Sequence, residues 1–188
     1  MAKAKKKAAQ RRSRSRSAAA PQDAITLLKA DHRQVSEWFE QFKSTRSDDR
    51  KQKLAQQCCQ ALKVHTVIEE EIFYPAFLEA TDEEQVHHEA QVEHDGAKKL
   101  IGEIEASGPT DDYYDAKVNV LSEMIRHHVN EEEKRDGMFA KARKSRMDLK
   151  ALGEQLAARK SELMASEEKE GTSSTSTRRG GTVAHIGH

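Results

Sequence analysis

His65-Thr66-Val67-Ile68-Glu69-Glu70-Glu71-Ile72-Phe73-Tyr74-Pro75 is the stretch from which the fold of this chain can be worked outward. His65 and Glu69 stand four residues apart. On an α-helix that is about one turn and a rise of about 6 Å, so both side chains leave one face. An imidazole beside a carboxylate on an inward face suits a transition metal. The pairing recurs in His128-Val129-Asn130-Glu131-Glu132, where His128 and Glu132 have the same spacing. His32 and His94 each lie on one of the two remaining helical segments. A lone pair of this kind on a charged helix is ordinarily a solvated surface pair; the repeated set is what needs an explanation.

The composition is that of a helical protein with polar outer faces. Of 188 residues, 34% are charged, three are Pro and nine are Gly. No apolar run approaches the ~20 residues needed to span a bilayer. Between Ala2 and Ala24 there is no Leu, Ile, Val, Phe or Met, which argues against a secretory leader or an amphipathic transit peptide. Net charge is zero but unevenly divided. Residues 1–22 hold eight of the 32 basic residues and no acid, so the rest of the chain carries eight more acids than bases. The arm is expected to be disordered and to make at most a weak non-specific contact with nucleic acid, since no aromatic residue is interleaved to stack on bases. Cys58 and Cys59 are adjacent and poorly placed to pair with each other, which fits reduced thiols and a cytoplasmic location.

Apolar spacing gives four long helices and a fifth, trailing one. The first carries Ile25, Leu28, His32, Val35, Phe39 and Phe42, with Asp23 at its start. The second carries Leu54, Cys58, Ala61, His65, Glu69 and Ile72, with Ser47 or Asp48 as its cap; Pro75 is expected to kink or end it. Thr81-Asp82-Glu83-Glu84 has capping-box character and opens the third, lined by His87, Ala90, His94, Ala97, Ile101 and Ile104. Ser107-Gly108-Pro109 stops that helix, and Thr110 or Asp111 is the expected cap of the fourth. The fourth runs through Tyr114, Val118, Leu121, Ile125, His128 and Glu132 to Phe139. Short connections favour an all-α, antiparallel up-down-up-down bundle.

That topology places the polar residues at one level. Reflected about turns near residues 47, 81 and 109, His32 falls at about 62 and His94 at about 68 and 124, within about a turn of His65 and His128. Three or more histidines and two glutamates in one core layer are costly unless compensated. No Arg or Lys shares their stripes, so a salt-bridged layer is a poor account. A metal held by His nitrogen and Glu oxygen is a better one, with iron, manganese and zinc all suited.

The order His32, His65-x-x-x-Glu69, His94, His128-x-x-x-Glu132 resembles the hemerythrin-like HHE cation-binding family. Ala30-Asp31-His32, Glu69 to Pro75, Glu93-His94 and Glu131-Glu132-Glu133 agree with it. Leu152-Gly153-x-x-Leu156 with Arg159-Lys160 is similar to the trailing helix of bacterial members. The resemblance covers about residues 23–165. It implies a hemerythrin-like bundle over 23–143 and a trailing helix over 144–165; composition adds a disordered basic arm over 1–22 and a disordered Ser/Thr/Gly-rich tail over 166–188. It also implies a diiron site of two non-haem iron ions, Fe2+ or Fe3+, open to an oxo or hydroxo bridge. Glu69 and Glu132 would bridge them, and His32, His65, His94 and His128 would be terminal ligands. Oxygen carriers of the family have two histidines one turn apart on the third helix; here Ala90 and Lys98 flank His94 at that distance, and His87 lies two turns away. They also use a carboxylate five residues past the last histidine, which here is Glu133, so Glu132 and Glu133 compete.

Three functions follow. The first is a protein that binds or senses dioxygen, peroxide or nitric oxide. The second is a diiron enzyme, a peroxidase, nitric-oxide reductase or oxidase. The third is an iron-binding bundle tethered to nucleic acid by its arm. Ferritin-like sites use Glu-x-x-His twice, and only Glu84-x-x-His87 matches. H-E-x-x-H, the mark of a zinc hydrolase, is absent.

Overall fold

Asp23 opens the first helix as the sequence predicts. In the computed structural model its Oδ1 accepts the Thr26 N–H at 2.8 Å, and α1 runs Ala24–Ser44; such a cap is worth about 1 kcal/mol. The structure describes residues 22–176, with side chains through Ser166. Most of the basic arm, the end of the tail, His185 and His188 lie outside the described residues. Ser47 caps α2 (Asp48–Ile68) through Arg50 N–H, and Asp48 and Asp49 stand in its positive first turn.

Pro75 does not end the second helix. One turn of π-helix spans Glu69–Phe73, and α3 continues from it as Tyr74–Thr81, with Pro75 in its first turn. Pro75 has no N–H for the Glu71 carbonyl and its ring crowds that oxygen. The wider turn, closed by the Tyr74 N–H on Glu69 O, accommodates this without breaking the rod. Asp82 then stops α3 in the left-handed region at φ 55°, which a short polar side chain tolerates.

The predicted capping box is not made. Thr81 stays in α3 and turns its hydroxyl back to Phe77 O at 2.7 Å, while Glu83 precedes α4 (Glu84–Glu105) without a side-chain cap. The fourth bundle helix also begins later than predicted. Asp111 accepts the Tyr113 N–H at 2.8 Å in a turn of its own, and α5 is Tyr114–Glu133. It ends before Phe139, which belongs to a separate helix, α6 (Met138–Lys144). The reversal between them needs Gly137: a Cβ there would lie 2.3 Å from Glu131 O and 2.7 Å from Glu132 O.

The trailing helix, α7, is Leu149–Ser176 and so extends past residue 165. Gly153 lets it lie on the start of α1, where a Cβ would meet Gln22 O at 2.1 Å. Leu156 is fully buried there, worth about 1.5–3 kcal/mol. Arg159 holds Glu71 through two hydrogen bonds of 2.7 and 3.1 Å.

The bundle is all-α and up-down-up-down, with no strand among the described residues. Its core is divided. One apolar cluster, with Phe39, Phe42, Leu62, Ile101, Tyr114 and Leu121, fills one end. A second, with Leu28, Ile68, Phe73, Phe77, Phe139 and Leu156, fills the other. Between them lies the polar layer, each histidine one step along its helix from apolar neighbours that bury it.

Candidate metal centre

Four helices each contribute one imidazole to this layer. His32, His65, His94 and His128 are 6%, 4%, 2% and 4% exposed, and Glu69 and Glu132 are 0% and 2%. The histidines meet in two pairs. His32 Nε2 lies 3.1 Å from His65 Nε2, and His94 Nε2 lies 3.2 Å from His128 Nε2. Each glutamate stands between the pairs. Glu69 Oε2 is 3.2 Å from His65 Nε2 and 3.4 Å from His94 Nε2. Glu132 Oε2 is 3.4 Å from His32 Nε2 and 3.7 Å from His128 Nε2. Two groups of donors within 4.8 Å of one another result, His32–His65–Glu69 and Glu69–His94–His128, sharing Glu69. All six residues singled out from the sequence are thus brought together.

Carboxylates on the far side fix the rings. His32 Nδ1 faces Glu133 Oε1 at 2.8 Å, His94 Nδ1 faces Glu70 Oε1 at 2.9 Å, and His128 Nδ1 faces Glu93 Oε2 at 2.8 Å. His65 Nδ1 has Asp31 Oδ2 at 3.5 Å, an ion-pair distance without an aligned hydrogen bond. Partners of this kind orient a metal-binding imidazole and raise its basicity. Three of the four are backed in turn by lysines: Lys29 on Glu133 at 2.8 Å, Lys98 on Glu70 at 2.6 Å, and Lys160 of α7 on Asp31. The lysines absent from the inner stripes therefore stand two steps out. Phe139 stacks on His32 with centroids 5.7 Å apart and limits its ring from the side.

Glu132 and Glu133 take different positions. Glu132 points into the layer; Glu133 stays at the rim, shared by His32 and Lys29. His87 lies outside the ring of donors, its imidazole set edge-on to Tyr74 at 5.9 Å. His88 and His127 are exposed. Cys58 and Cys59 sit in the apolar cluster, where burial is the main force pushing both thiols up to about 12, so they take no part.

Tyr74 is the site residue missed in the sequence. Its hydroxyl lies 3.3 Å from Glu69 Oε2, 3.2 Å from Glu132 Oε1 and 3.2 Å from His94 Nε2, at the middle of the layer. On a regular α-helix a residue five past Glu69 lies about 140° around the axis and faces elsewhere. Only the π turn returns Tyr74 to the face of Glu69. Burial, then the charges of Glu132 and Glu69, hold its phenol pKa well above the ordinary value, so it keeps its proton.

Counting protons shows what the layer lacks. With Nδ1 of His32, His94 and His128 donating outward, their Nε2 atoms turn lone pairs inward, a tautomer assigned from the partners. Two carboxylates join them, and Tyr74 offers one O–H among three acceptors. Glu69 Oε1 and Glu132 Oε2 have no hydrogen-bond partner. Burial and the Glu69 charge raise the Glu132 pKa, whereas His65 and His94 override burial to hold Glu69 low. Burial opposes an imidazolium at His65, yet Glu69 and Asp31 outweigh it and push its pKa up to about 10. Such a cluster gathers cations, and protons take that place only in part. Ligand bonds of ~2.0–2.2 Å put adjacent donors about 3–3.6 Å apart, and the contacts here run from 3.1 to 3.7 Å. The residues present fit a metal.

Fold and site together define a helical-bundle cation-binding domain. Residues 23–141 match the family model described as the hemerythrin HHE cation binding domain, and the chain belongs to that family. A crystal structure of a hemerythrin HHE cation binding domain-containing protein from Mycobacterium kansasii has the same fold, with a TM-score of 0.65 at 23% identity over 77% of this chain and 89% of that one. No curated protein matches the chain. No helix among the described residues is long and apolar enough to cross a membrane.

Proposed function

We propose that the centre holds two iron ions and binds or senses a small oxidant: dioxygen, peroxide or nitric oxide. The observation that carries this is the placing of Glu69 and Glu132, each between a histidine of one pair and a histidine of the other. His32 and His65 would hold one ion, His94 and His128 the second, and the two carboxylates would join them. Iron bound there supplies redox change and exchangeable coordination positions. The chain's own residues set what reaches it. A space of about 10 Å³ adjoins all four histidines, lined also by Val35, Leu62, Ile125 and Val129. On that side there is room for about one water-sized molecule, which suits a small ligand. Tyr74 holds a proton at its hydroxyl beside both carboxylates. Glu133, Glu70 and Glu93 hold the imidazoles of His32, His94 and His128 each to one orientation.

Anaerobic loading with Fe2+, metal counting and absorption spectra before and after dioxygen, peroxide or nitric oxide test the reading. About two irons per chain and a reversible adduct are expected. His65→Ala or Glu69→Ala lowers iron content sharply, and His87→Ala does not. Full iron content in Glu69→Ala, or sustained turnover in place of an adduct, overturns the reading.

A further inference from the structure

A cleft of about 690 Å³ opens between α4, the end of α5 and α6, and reaches the centre from one side. Its floor includes His128 and Glu132. Glu132 is 2% exposed, and its Oε2 is the oxygen without a hydrogen-bond partner. Glu93 forms part of the wall and faces both ways: Oε2 is 2.8 Å from His128 Nδ1, and Oε1 is 3.3 Å from Nε2 of His127. The His127 side chain is 66% exposed, so the line from solvent to the centre is His127, Glu93, then His128 and Glu132.

Charge decides what travels along it. The lining contains Glu89, Glu93, Glu131 and Asp136 besides Glu132. Against these five carboxylates stand two lysines, Lys134, paired with Glu131, and Lys141, paired with Glu83. A cleft of that sign concentrates cations and repels anions. Neutral small oxidants gain nothing from it. The geometry points to a loading path for a divalent transition-metal ion, with His127 and Glu93 Oε1 as its landing site outside the centre. Their 3.3 Å separation lies within the about 3–3.6 Å between adjacent ligand atoms at ~2.0–2.2 Å from one ion. Imidazole with carboxylate is also the donor chemistry of the centre, so an ion passes inward between like ligands. Of the four inner histidines only His128 lines this cleft, so the position beside His128 fills first.

This rests on the centre being a metal site, and the test separates the two. Apo protein of full length is mixed anaerobically with Fe2+ alone, and both the rate of uptake and the final iron content are measured. His127→Ala and Glu89→Lys are expected to slow uptake about tenfold and to leave final content at the wild-type value. Glu40→Lys, at the far end of α1, leaves the rate unchanged. Raising ionic strength slows the wild type, and Glu89→Lys much less. Unchanged uptake rates in both cleft variants overturn the path while leaving the centre standing. A loss of final content in His127→Ala also overturns it, because a landing site is not a resident ligand. A wild type that takes up no iron overturns the metal centre itself.

Discussion

Replacing Tyr74 with Phe removes one oxygen and keeps the ring that packs on Phe73 and His87. In the metal-free protein that oxygen carries the one hydroxyl among Glu69, Glu132 and His94. Hydrogen bonds to charged groups contribute about 1.5–3 kcal/mol, and a buried acceptor left alone costs a similar amount. Taking about 2 kcal/mol, and about 2–4 °C per kcal/mol for a chain of this length, Tyr74→Phe lowers the apo melting temperature by about 4–8 °C. Metal changes the balance. With cations meeting both carboxylates, the hydroxyl is no longer their principal partner, and the same substitution costs less than half as much in the iron-loaded protein. Thermal melts of both proteins, each with and without iron at pH 7, give the four values required. An equal loss in both forms, or none in the apo form, refutes the placing of Tyr74 at the centre of an electron-rich cluster.

Other outcomes follow from single features. Glu133 is held down to about 2 by the hydrogen bond from His32 and by Lys29, against an ordinary 4.5; its stabilisation is complete above about 4.5 and lost as pH falls towards 2, so Glu133→Gln flattens that limb of the pH–stability curve in urea titrations. Thiols pushed up to about 12 stay protonated, so iodoacetamide at pH 8 leaves Cys58 and Cys59 unmodified in the folded protein and alkylates both in denaturant; rapid alkylation of folded protein refutes their burial. Residues 1–22 carry eight positive charges; retention on DNA, if the arm is its source, falls by ~10³-fold or more between ~50 and ~200 mM salt and vanishes on deleting the arm. Binding that survives the deletion excludes the arm.

Helix periodicity was enough to find six of the inner residues, because His65–Glu69 and His128–Glu132 obey the 3.6-residue repeat and His32 and His94 replace apolar residues within clean stripes. Tyr74 was hidden because its position depends on a π turn, and nothing in residue spacing announces an i to i+5 bond. The choice between Glu132 and Glu133 was hidden for a related reason. Consecutive residues differ by about 100° around a helix, and only the neighbouring His32 and Lys29 show which of the two faces inward. Helix starts failed where side chains had rival partners: Thr81 bonds back into α3, and Asp111 closes its own turn. The landing pair His127–Glu93 joins residues on different helices, so no spacing rule along one helix brings them together.

The four outer carboxylates explain why acids accompany so many of the inner residues along the chain. Asp31 precedes His32, Glu70 follows Glu69, Glu93 precedes His94 and Glu133 follows Glu132. None serves a histidine of its own helix. Asp31 of α1 faces His65 of α2, Glu70 beside α2 faces His94 of α4, Glu93 of α4 faces His128 of α5, and Glu133 of α5 returns to His32 of α1. The contacts form a closed ring through the bundle. Apolar stripes alone leave helices free to slip, since one Leu or Ile packs much like another one turn, about 5.4 Å, away. A slip of any helix here breaks two contacts of the ring, one it gives and one it receives, and leaves a buried imidazole without its partner. The ring therefore sets the register of all four helices before any ion is bound, and that register is what leaves four imidazole nitrogens and two carboxylates facing one another in the core.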